Sequence, residues 1–255
     1  MDRHRFLHDG LHFSYLDAGG EGRILIALHA HWMEALTYSA FAKSIAPEWR
    51  VVALDQRGHG QSDHAPSYAR EDYLSDLDGL LSHLGVVEPV VLMGNSLGGV
   101  NAYQFAARSP ARVRALIVED IGVHVSGDAD FILAWSGTFE TREQLAERIG
   151  PRLLPYLQDS VRATPDGWRL AFDPPEIVES QKNLAGDYWR DWLASDCPAL
   201  IVRGLNSPLT TQSHLEDMAM RRPNARLETL EGGHVVHFDN PDGFARSVRA
   251  FLDEL

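Results

Sequence analysis

One serine has the sequence surroundings of a nucleophile. Ser96 lies in the pentapeptide Gly-Asn-Ser-Leu-Gly at 94–98, directly after the apolar run 90–93 and before a helical pattern that continues to Arg108. A G-x-S-x-G turn between a buried strand and a helix holds its serine in a strained conformation, with the hydroxyl exposed above the sheet. The positive end of the following helix favours negative charge developing near that hydroxyl. The alternative is an ordinary strand-to-helix turn whose serine caps the helix.

A serine hydroxyl is a weak nucleophile near neutral pH, so a base must lie within hydrogen-bonding distance. Of the twelve histidines, His234 follows the last strand-like run, 226–230, after two glycines. Loops that follow the carboxyl ends of parallel strands open on the same crevice. We therefore predict that His234 is the base. The alternative is a histidine in a solvated loop.

The third member of such a site is a carboxylate that orients the imidazole. After the apolar run 199–202 the chain holds no acid as far as Leu209, whereas Glu119 and Asp120 directly follow the run 113–118. Successive residues of a strand point to opposite sides, so one of these two acids should face the site. We predict Asp120, at the very end of the strand, and keep Glu119 as the alternative. Without a function, the pair would be a solvated acidic strand end.

Acyl transfer also needs N–H donors aimed at the oxyanion of the tetrahedral intermediate. The predicted donors are the backbone N–H groups of Leu97 and of His31, which lies in the loop after the apolar run 23–28. The spacing of His29 and His31 could also suit a metal, but no carboxylate or cysteine lies beside them to complete a ligand set. We predict neither a metal nor a cofactor.

The elements that must carry these residues alternate between apolar strand patterns and amphipathic helical patterns. This alternation predicts an α/β fold with a mostly parallel central sheet flanked by helices. Near the amino terminus, alternating runs on both sides of Asp9 and Gly10 predict a hairpin with these two residues as its turn.

The alternation stops at 122–196, which is rich in prolines and holds four of the six tryptophans. We interpret this segment as a helical lid inserted into a core made of residues 1–121 and 197–255. Trp32, Trp135 and Trp189 are the predicted residues of the substrate pocket. Burial in the lid's own core is the alternative for most of these tryptophans.

The bulk composition narrows the class of partner. The formal net charge of −13 argues against nucleic acid or an anionic membrane as a partner. Cys197 is the single cysteine, which excludes an intrachain disulfide framework. No apolar run approaches the roughly 18 residues of a membrane span, and the first residues lack the apolar region of a secretory signal. We expect a cytoplasmic monomer or homodimer that acts on a small molecule.

The chain resembles the α/β-hydrolase fold family over essentially its whole length. The segment 94–98 resembles the family's nucleophile elbow, 55–62 its D-x-R-G-x-G-x-S turn, and 233–234 its terminal histidine loop. His-Ala-His at 29–31 resembles the oxyanion loop, with Ala30 in place of the usual glycine. The resemblance implies that Ser96 is the nucleophile and His234 the base.

The family also bears on the acid. Most members place it after the strand that here ends at Gly204, where this chain has Asn206 and Ser207 instead. Some small esterases and dehalogenases place it after the preceding strand, and Asp120 matches that arrangement.

The function expected from these residues is hydrolysis of carboxylic esters through an acyl-enzyme, with small to medium, largely apolar esters or lactones as substrates. Related alternatives are enol-lactone hydrolysis, carbon–carbon bond hydrolysis and cofactor-free perhydrolysis. A serine nucleophile argues against dehalogenase and epoxide hydrolase activity, which use a carboxylate in this family. The alternative from another class is a signalling receptor that keeps the triad and turns over slowly.

Overall fold

The computed structural model describes residues 1–255 and contains one eight-stranded sheet. The order of its strands is β1-β2-β4-β3-β5-β6-β11-β12. Strand β2 pairs antiparallel with both of its neighbours, and all other pairs are parallel. The strands are β1 Asp2–His8, β2 Leu11–Asp17, β3 Arg23–Leu28, β4 Trp49–Leu54, β5 Val90–Asn95, β6 Val113–Glu119, β11 Ala199–Gly204 and β12 Ala225–Leu230. This architecture confirms the predicted fold class.

Helices cover both faces of the sheet because successive strand residues alternate between two apolar cores. The helices are α1 Ser39–Ile45, α2 Arg70–His83, α3 Leu97–Arg108, α4 Arg142–Ile149, α5 Leu154–Leu157, α6 Pro174–Leu184, α7 Trp189–Trp192, α8 Gln212–Arg221, α9 Val236–Asp239 and α10 Pro241–Leu252. Ile26 of β3 belongs to the core under α2, α3 and α8, and its neighbour Leu25 belongs to the core under α1 and α10. No helix is both long enough and apolar enough to cross a membrane.

The elements between β6 and β11 add no strand to the main sheet, and we call residues 122–196 the cap. The cap has its own apolar cluster, which includes Trp135 and Phe172. It is less purely helical than the sequence suggested, because it also contains two antiparallel ribbons. These pair β7 His124–Val125 with β10 Gly186–Asp187, and β8 Val161–Thr164 with β9 Gly167–Leu170. At its end the cap joins the main core, where Trp192 is fully buried and donates Nε1–H to the carbonyl of Met218 at 3.0 Å.

The predicted amino-terminal hairpin is confirmed. Strands β1 and β2 pair in register around Asp9 and Gly10, whose φ angles are 48° and 81°. Positive φ at both central residues is the geometry of a tight hairpin turn whose twist matches that of the strands.

The sheet brings the predicted site residues to one edge. The loop that holds His31 follows β3, Ser96 follows β5, Asp120 follows β6, and His234 follows β12. These strands are parallel, so their carboxyl ends share an edge. The fold therefore carries residues that are distant in sequence into one crevice.

Candidate active site

Ser96 lies on a strained turn between β5 and α3. Its φ and ψ are 52° and −114°, a combination that residues with a side chain rarely adopt. The chain passes so close to itself that a Cβ on Gly94 would lie 2.1 Å from the carbonyl carbon of Gly98, and a Cβ on Gly98 would lie 2.0 Å from the carbonyl oxygen of Leu28. Glycine at both positions is therefore a steric requirement of the turn.

The serine side chain makes no capping hydrogen bond to α3, so the geometry differs from the capping alternative. Helix α3 begins at Leu97, whose N–H has no acceptor within the helix because it belongs to the first turn. The partial positive charge of this helix end lies beside the serine.

The structure brings His234 and Asp120 together. Nδ1 of His234 donates to Oδ2 of Asp120 at 2.8 Å. The aspartate side chain is completely buried, whereas the imidazole is 19% exposed. Asp120 has a φ of 47°, so the strand end bends sharply where it presents this carboxylate.

Three further donors surround the Asp120 carboxylate, one from the last residue of β11 and two from the loop that follows it. The N–H of Gly204 donates to Oδ1 at 3.1 Å, the hydroxyl of Thr210 donates to Oδ1 at 2.8 Å, and the hydroxyl of Ser207 donates to Oδ2. A buried carboxylate needs such donors to remain charged. The end of β11 and the loop after it therefore hold the Asp120 carboxylate in place.

Sequence reasoning missed Ser207 and Thr210 as partners of the acid. The signal that could have found them was the absence of an acid in a loop rich in hydroxyl side chains at the same sheet edge.

Glu119 points to the other side of the strand end and does not contact His234. Its carboxylate accepts two hydrogen bonds from His237, at 2.8 Å from the backbone N–H and at 2.7 Å from Nδ1. Both side chains are completely buried. The two acids that the sequence left as alternatives thus hold two different histidines.

Asn95 joins the serine turn to the histidine loop. Its Nδ2 donates to the carbonyl oxygen of His234 at 2.9 Å, and the N–H of Ser96 donates to the carbonyl of Glu119 at 3.1 Å. Nε2 of His234 and Oγ of Ser96 have no hydrogen-bond partner within the protein. In ligand-free sites the bond between base and nucleophile is often long and tightens only when substrate binds.

The loop after β3 is held from behind by Gln56. The backbone N–H of Gln56 donates to Nε2 of His29 at 3.0 Å, and its side-chain amide donates to the His29 carbonyl at 2.6 Å. Nδ1 of His29 donates to the carbonyl of Ala30 at 2.7 Å. Burial of this ring lowers its pKa to about 4, so it is neutral near pH 7. The D-x-R-G turn therefore fixes the loop after β3.

His31 has separate roles for its main chain and its ring. Its N–H donates to no acceptor within the protein. Its imidazole is buried, with Nε2 2.8 Å from the hydroxyl of Ser180 in the cap. Burial, followed by the nearby His59, Arg70 and His29, holds the His31 pKa well below its usual value.

Alanine fits in place of the family's glycine at position 30. Ala30 has an ordinary negative φ, and its methyl group packs in a small cluster with Met33 and Val235. No requirement for glycine therefore exists at this position.

An aromatic cluster borders the oxyanion loop. Trp32 makes edge-to-face contacts with Trp135 at 5.5 Å and with Phe131 at 5.8 Å between ring centroids. Trp135 also lines a cavity of about 310 Å³ in the cap together with Phe172.

Trp189, predicted alongside Trp32 and Trp135, lies elsewhere. It donates Nε1–H to Nε2 of His124 at 3.1 Å and lies under Arg221, 3.7 Å from the guanidinium carbon. The structure does not bring Trp189 to the other two tryptophans. It packs against the main core near α8.

Comparison with known proteins gives a consistent result. The model of the alpha/beta hydrolase family matches residues 24–247. The sn-1-specific diacylglycerol lipase ABHD11 of Mus musculus is 28% identical, over 95% of this chain and 85% of that protein. Esterase YbfF of Escherichia coli K12 is 24% identical, over 90% of this chain and 93% of that protein.

Among solved structures, an E-2-(acetamidomethylene)succinate hydrolase is similar with a TM-score of 0.88. The match covers 99% of both chains at 22% sequence identity. At this identity the likeness shows a shared fold.

Proposed function

The chain belongs to the alpha/beta hydrolase family, and from that premise we propose that it is a serine hydrolase that cleaves carboxylic esters through an acyl-enzyme. The observation that carries the proposal is the hydrogen bond from His234 to the buried Asp120, beside the strained turn of Ser96. A hydroxyl, an imidazole and a carboxylate at one sheet edge are the groups that acyl transfer needs. The ester-cleaving names of two relatives agree with this chemistry.

In the proposed mechanism Ser96 Oγ attacks the ester carbonyl carbon while Nε2 of His234 takes the hydroxyl proton. Asp120 accepts the hydrogen bond from Nδ1, which fixes the tautomer with Nε2 unprotonated and stabilises the imidazolium once it forms. The N–H groups of Leu97 and His31 bind the oxyanion. The imidazolium then protonates the leaving alcohol, and a water molecule, activated by the same ring, releases the acid from Ser96.

The substrates we propose are small to medium, largely apolar esters or lactones. The support is the cluster of Trp32, Phe131 and Trp135, which offers aromatic surface next to the oxyanion loop. Burial of apolar acyl groups there would contribute roughly 25 cal/mol for each Å² removed from water.

The test compares the wild-type protein with Ser96→Ala on p-nitrophenyl acetate and p-nitrophenyl butyrate. We expect steady turnover by the wild type and background rates for the variant. A fluorophosphonate should add to Ser96 in the wild type, as read by intact mass and peptide mapping. The proposal would be excluded if the wild type neither turned over the esters nor reacted with the fluorophosphonate. Equal hydrolysis rates for the wild type and Ser96→Ala would also exclude it. A single acylation without turnover would instead favour a slow receptor-type protein.

A further inference from the structure

A second carboxylate–imidazole pair lies next to the one in the proposed mechanism. Glu119 and Asp120 are consecutive, and they bind His237 and His234, which are three residues apart. The side chains of Glu119 and His237 are completely buried, and neither takes part in the proposed reaction. A carboxylate removed from water costs free energy unless hydrogen bonds replace those to water, and the two bonds from His237 do so here.

Both nitrogens of the His237 ring form hydrogen bonds, and the ring also stacks on an aromatic side chain. Nδ1 donates to Glu119 at 2.7 Å, Nε2 lies 2.7 Å from the hydroxyl of Thr37, and the ring stacks on Tyr38 at 4.6 Å between centroids. The backbone N–H of His237 donates to the second carboxylate oxygen. The start of α9, two residues after His234, therefore has a fixed position.

The same glutamate also anchors the nucleophile turn through its main chain. Its carbonyl oxygen accepts the N–H of Ser96 at 3.1 Å and Nδ2 of Asn95 at 3.2 Å. That Nδ2 group simultaneously donates to the carbonyl of His234. One residue, Glu119, thus contacts the turn with its backbone and the histidine segment with its carboxylate, and Asn95 closes the connection between them.

We propose that Glu119 is a positioning residue, which together with Asn95 holds His234 at a fixed position relative to Ser96. This inference rests on the proposed function. Glu119 touches neither substrate nor reacting atoms, and it acts by fixing the segment that carries the base. A displacement of about 1 Å between reacting groups can reduce the rate about 100-fold, so the loss of this anchor should be visible in kcat.

The central variants are Glu119→Ala and Glu119→Gln. Alanine removes both bonds to His237, and we expect kcat to fall by about 10- to 100-fold with little change in KM. Glutamine keeps an acceptor for the His237 N–H, and its amide can donate to Nδ1 of the other ring tautomer. We therefore expect Glu119→Gln to restore kcat to within about threefold of the wild type. If Glu119 were instead the acid that orients the base, Glu119→Gln would be inactive.

A matched control is Asp17→Ala. Asp17 is another buried carboxylate in a two-point ion pair, with Nε of Arg50 at 2.8 Å, but it lies beside Val52, away from the carboxyl end of β4. This variant should lose stability while its kcat per folded molecule stays at the wild-type value.

Asn95→Ala tests the connection independently if Glu119→Ala fails to fold. The substitution removes the Nδ2 donor and also an Oδ1 atom that is buried without a hydrogen-bond partner. Because the unpaired oxygen itself destabilises the folded state, its removal offsets part of the stability lost with the donor. We expect a fall in kcat and in the rate of fluorophosphonate labelling of Ser96.

Unchanged kcat and labelling rate in folded Glu119→Ala and Asn95→Ala would overturn the positioning role. A wild-type protein that is neither labelled nor active would instead overturn the proposed function itself.

Discussion

Asp120 and His234 are 114 positions apart in the chain, yet Oδ2 of the aspartate lies 2.8 Å from Nδ1 of the histidine. The contact joins the end of β6 to the loop after β12, on opposite sides of β11 in the sheet. Asp120 leaves the strand with a φ of 47°, and its carboxylate also accepts hydrogen bonds from Gly204 at the end of β11 and from Thr210 in the loop that follows. The neighbouring Glu119 keeps the direction of the strand and binds another histidine.

Asp120→Asn should reduce kcat by roughly 10⁴-fold, because an amide favours the histidine tautomer with Nε2 protonated and unable to accept the serine proton. The size and packing of the side chain stay nearly unchanged, so the fold should persist. The measurement is steady-state hydrolysis of p-nitrophenyl butyrate, with a thermal unfolding scan to verify the fold. Full activity in Asp120→Asn together with an inactive Glu119→Gln would mean that Glu119 is the acid.

The hydroxyl donors to Asp120 should contribute to both stability and rate. Thr210→Val removes one donor from a buried carboxylate with little change in volume, and we expect the free energy of unfolding to fall by about 1.5–3 kcal/mol. Activity should fall as well, because the Asp120 carboxylate loses one of the hydrogen bonds that hold it in place beside His234. Chemical denaturation and steady-state kinetics measure the two effects. Thr211→Val is the adjacent control, since Thr211 caps α8 and does not contact Asp120. If Thr210→Val and Thr211→Val have the same kcat and KM, the Thr210 hydroxyl does not contribute to activity.

The aromatic cluster should select for larger acyl groups. Phe131 is 54% exposed and contacts Trp32, so Phe131→Ala should leave the fold intact while removing apolar contact area. We expect KM for p-nitrophenyl butyrate to rise about three- to tenfold, and KM for the acetate to change less. Leu7→Ala, on the exposed side of β1, is the control for loss of a surface apolar group. If both esters respond equally, the acyl group does not bind against Phe131.

The nucleophile turn could be predicted from the sequence because its determinants are local. A buried strand, two glycines without room for a side chain and a helix follow one another within 90–108, and the structure has this arrangement. The alternation of strands and helices likewise fixes which loops meet at one edge. It does not fix which of two adjacent acids faces His234, because the direction of that side chain depends on the positive φ of Asp120, which the alternation does not predict.

The cap was predicted less well for a physical reason. Aromatic composition indicates burial but gives no direction, so Trp189 could not be separated from Trp32 and Trp135. The ribbon of β8 and β9 turns at Pro165 and Asp166 before Gly167, which is a typical turn sequence. The strands on either side are short and show little alternation of apolar residues, so the sequence does not indicate them.

The cap contacts the loop after β3 through one ion pair and one hydrogen bond. Glu34, just after that loop, is 3% exposed and pairs with Arg162 of β8, while the hydroxyl of Ser160 donates to the Trp32 carbonyl at 2.7 Å. Burial raises the pKa of Glu34 to about 7, and the nearby Asp55 acts in the same direction, although Arg162 opposes the shift.

Because this pKa is raised above the ordinary 4.5, the folded state binds more protons than the unfolded state between pH 4.5 and 7. Stability contributed by the protonated carboxyl is therefore present below pH 4.5 and is lost as pH rises to 7, by about 3 kcal/mol in total. Glu34→Gln lacks this titration. The free energy of unfolding of the wild type minus that of Glu34→Gln, measured by urea denaturation at pH 4.5 to 8, should fall across that window and level off above it. A difference that is constant with pH would show that Glu34 ionises in the folded protein as it does in the unfolded chain.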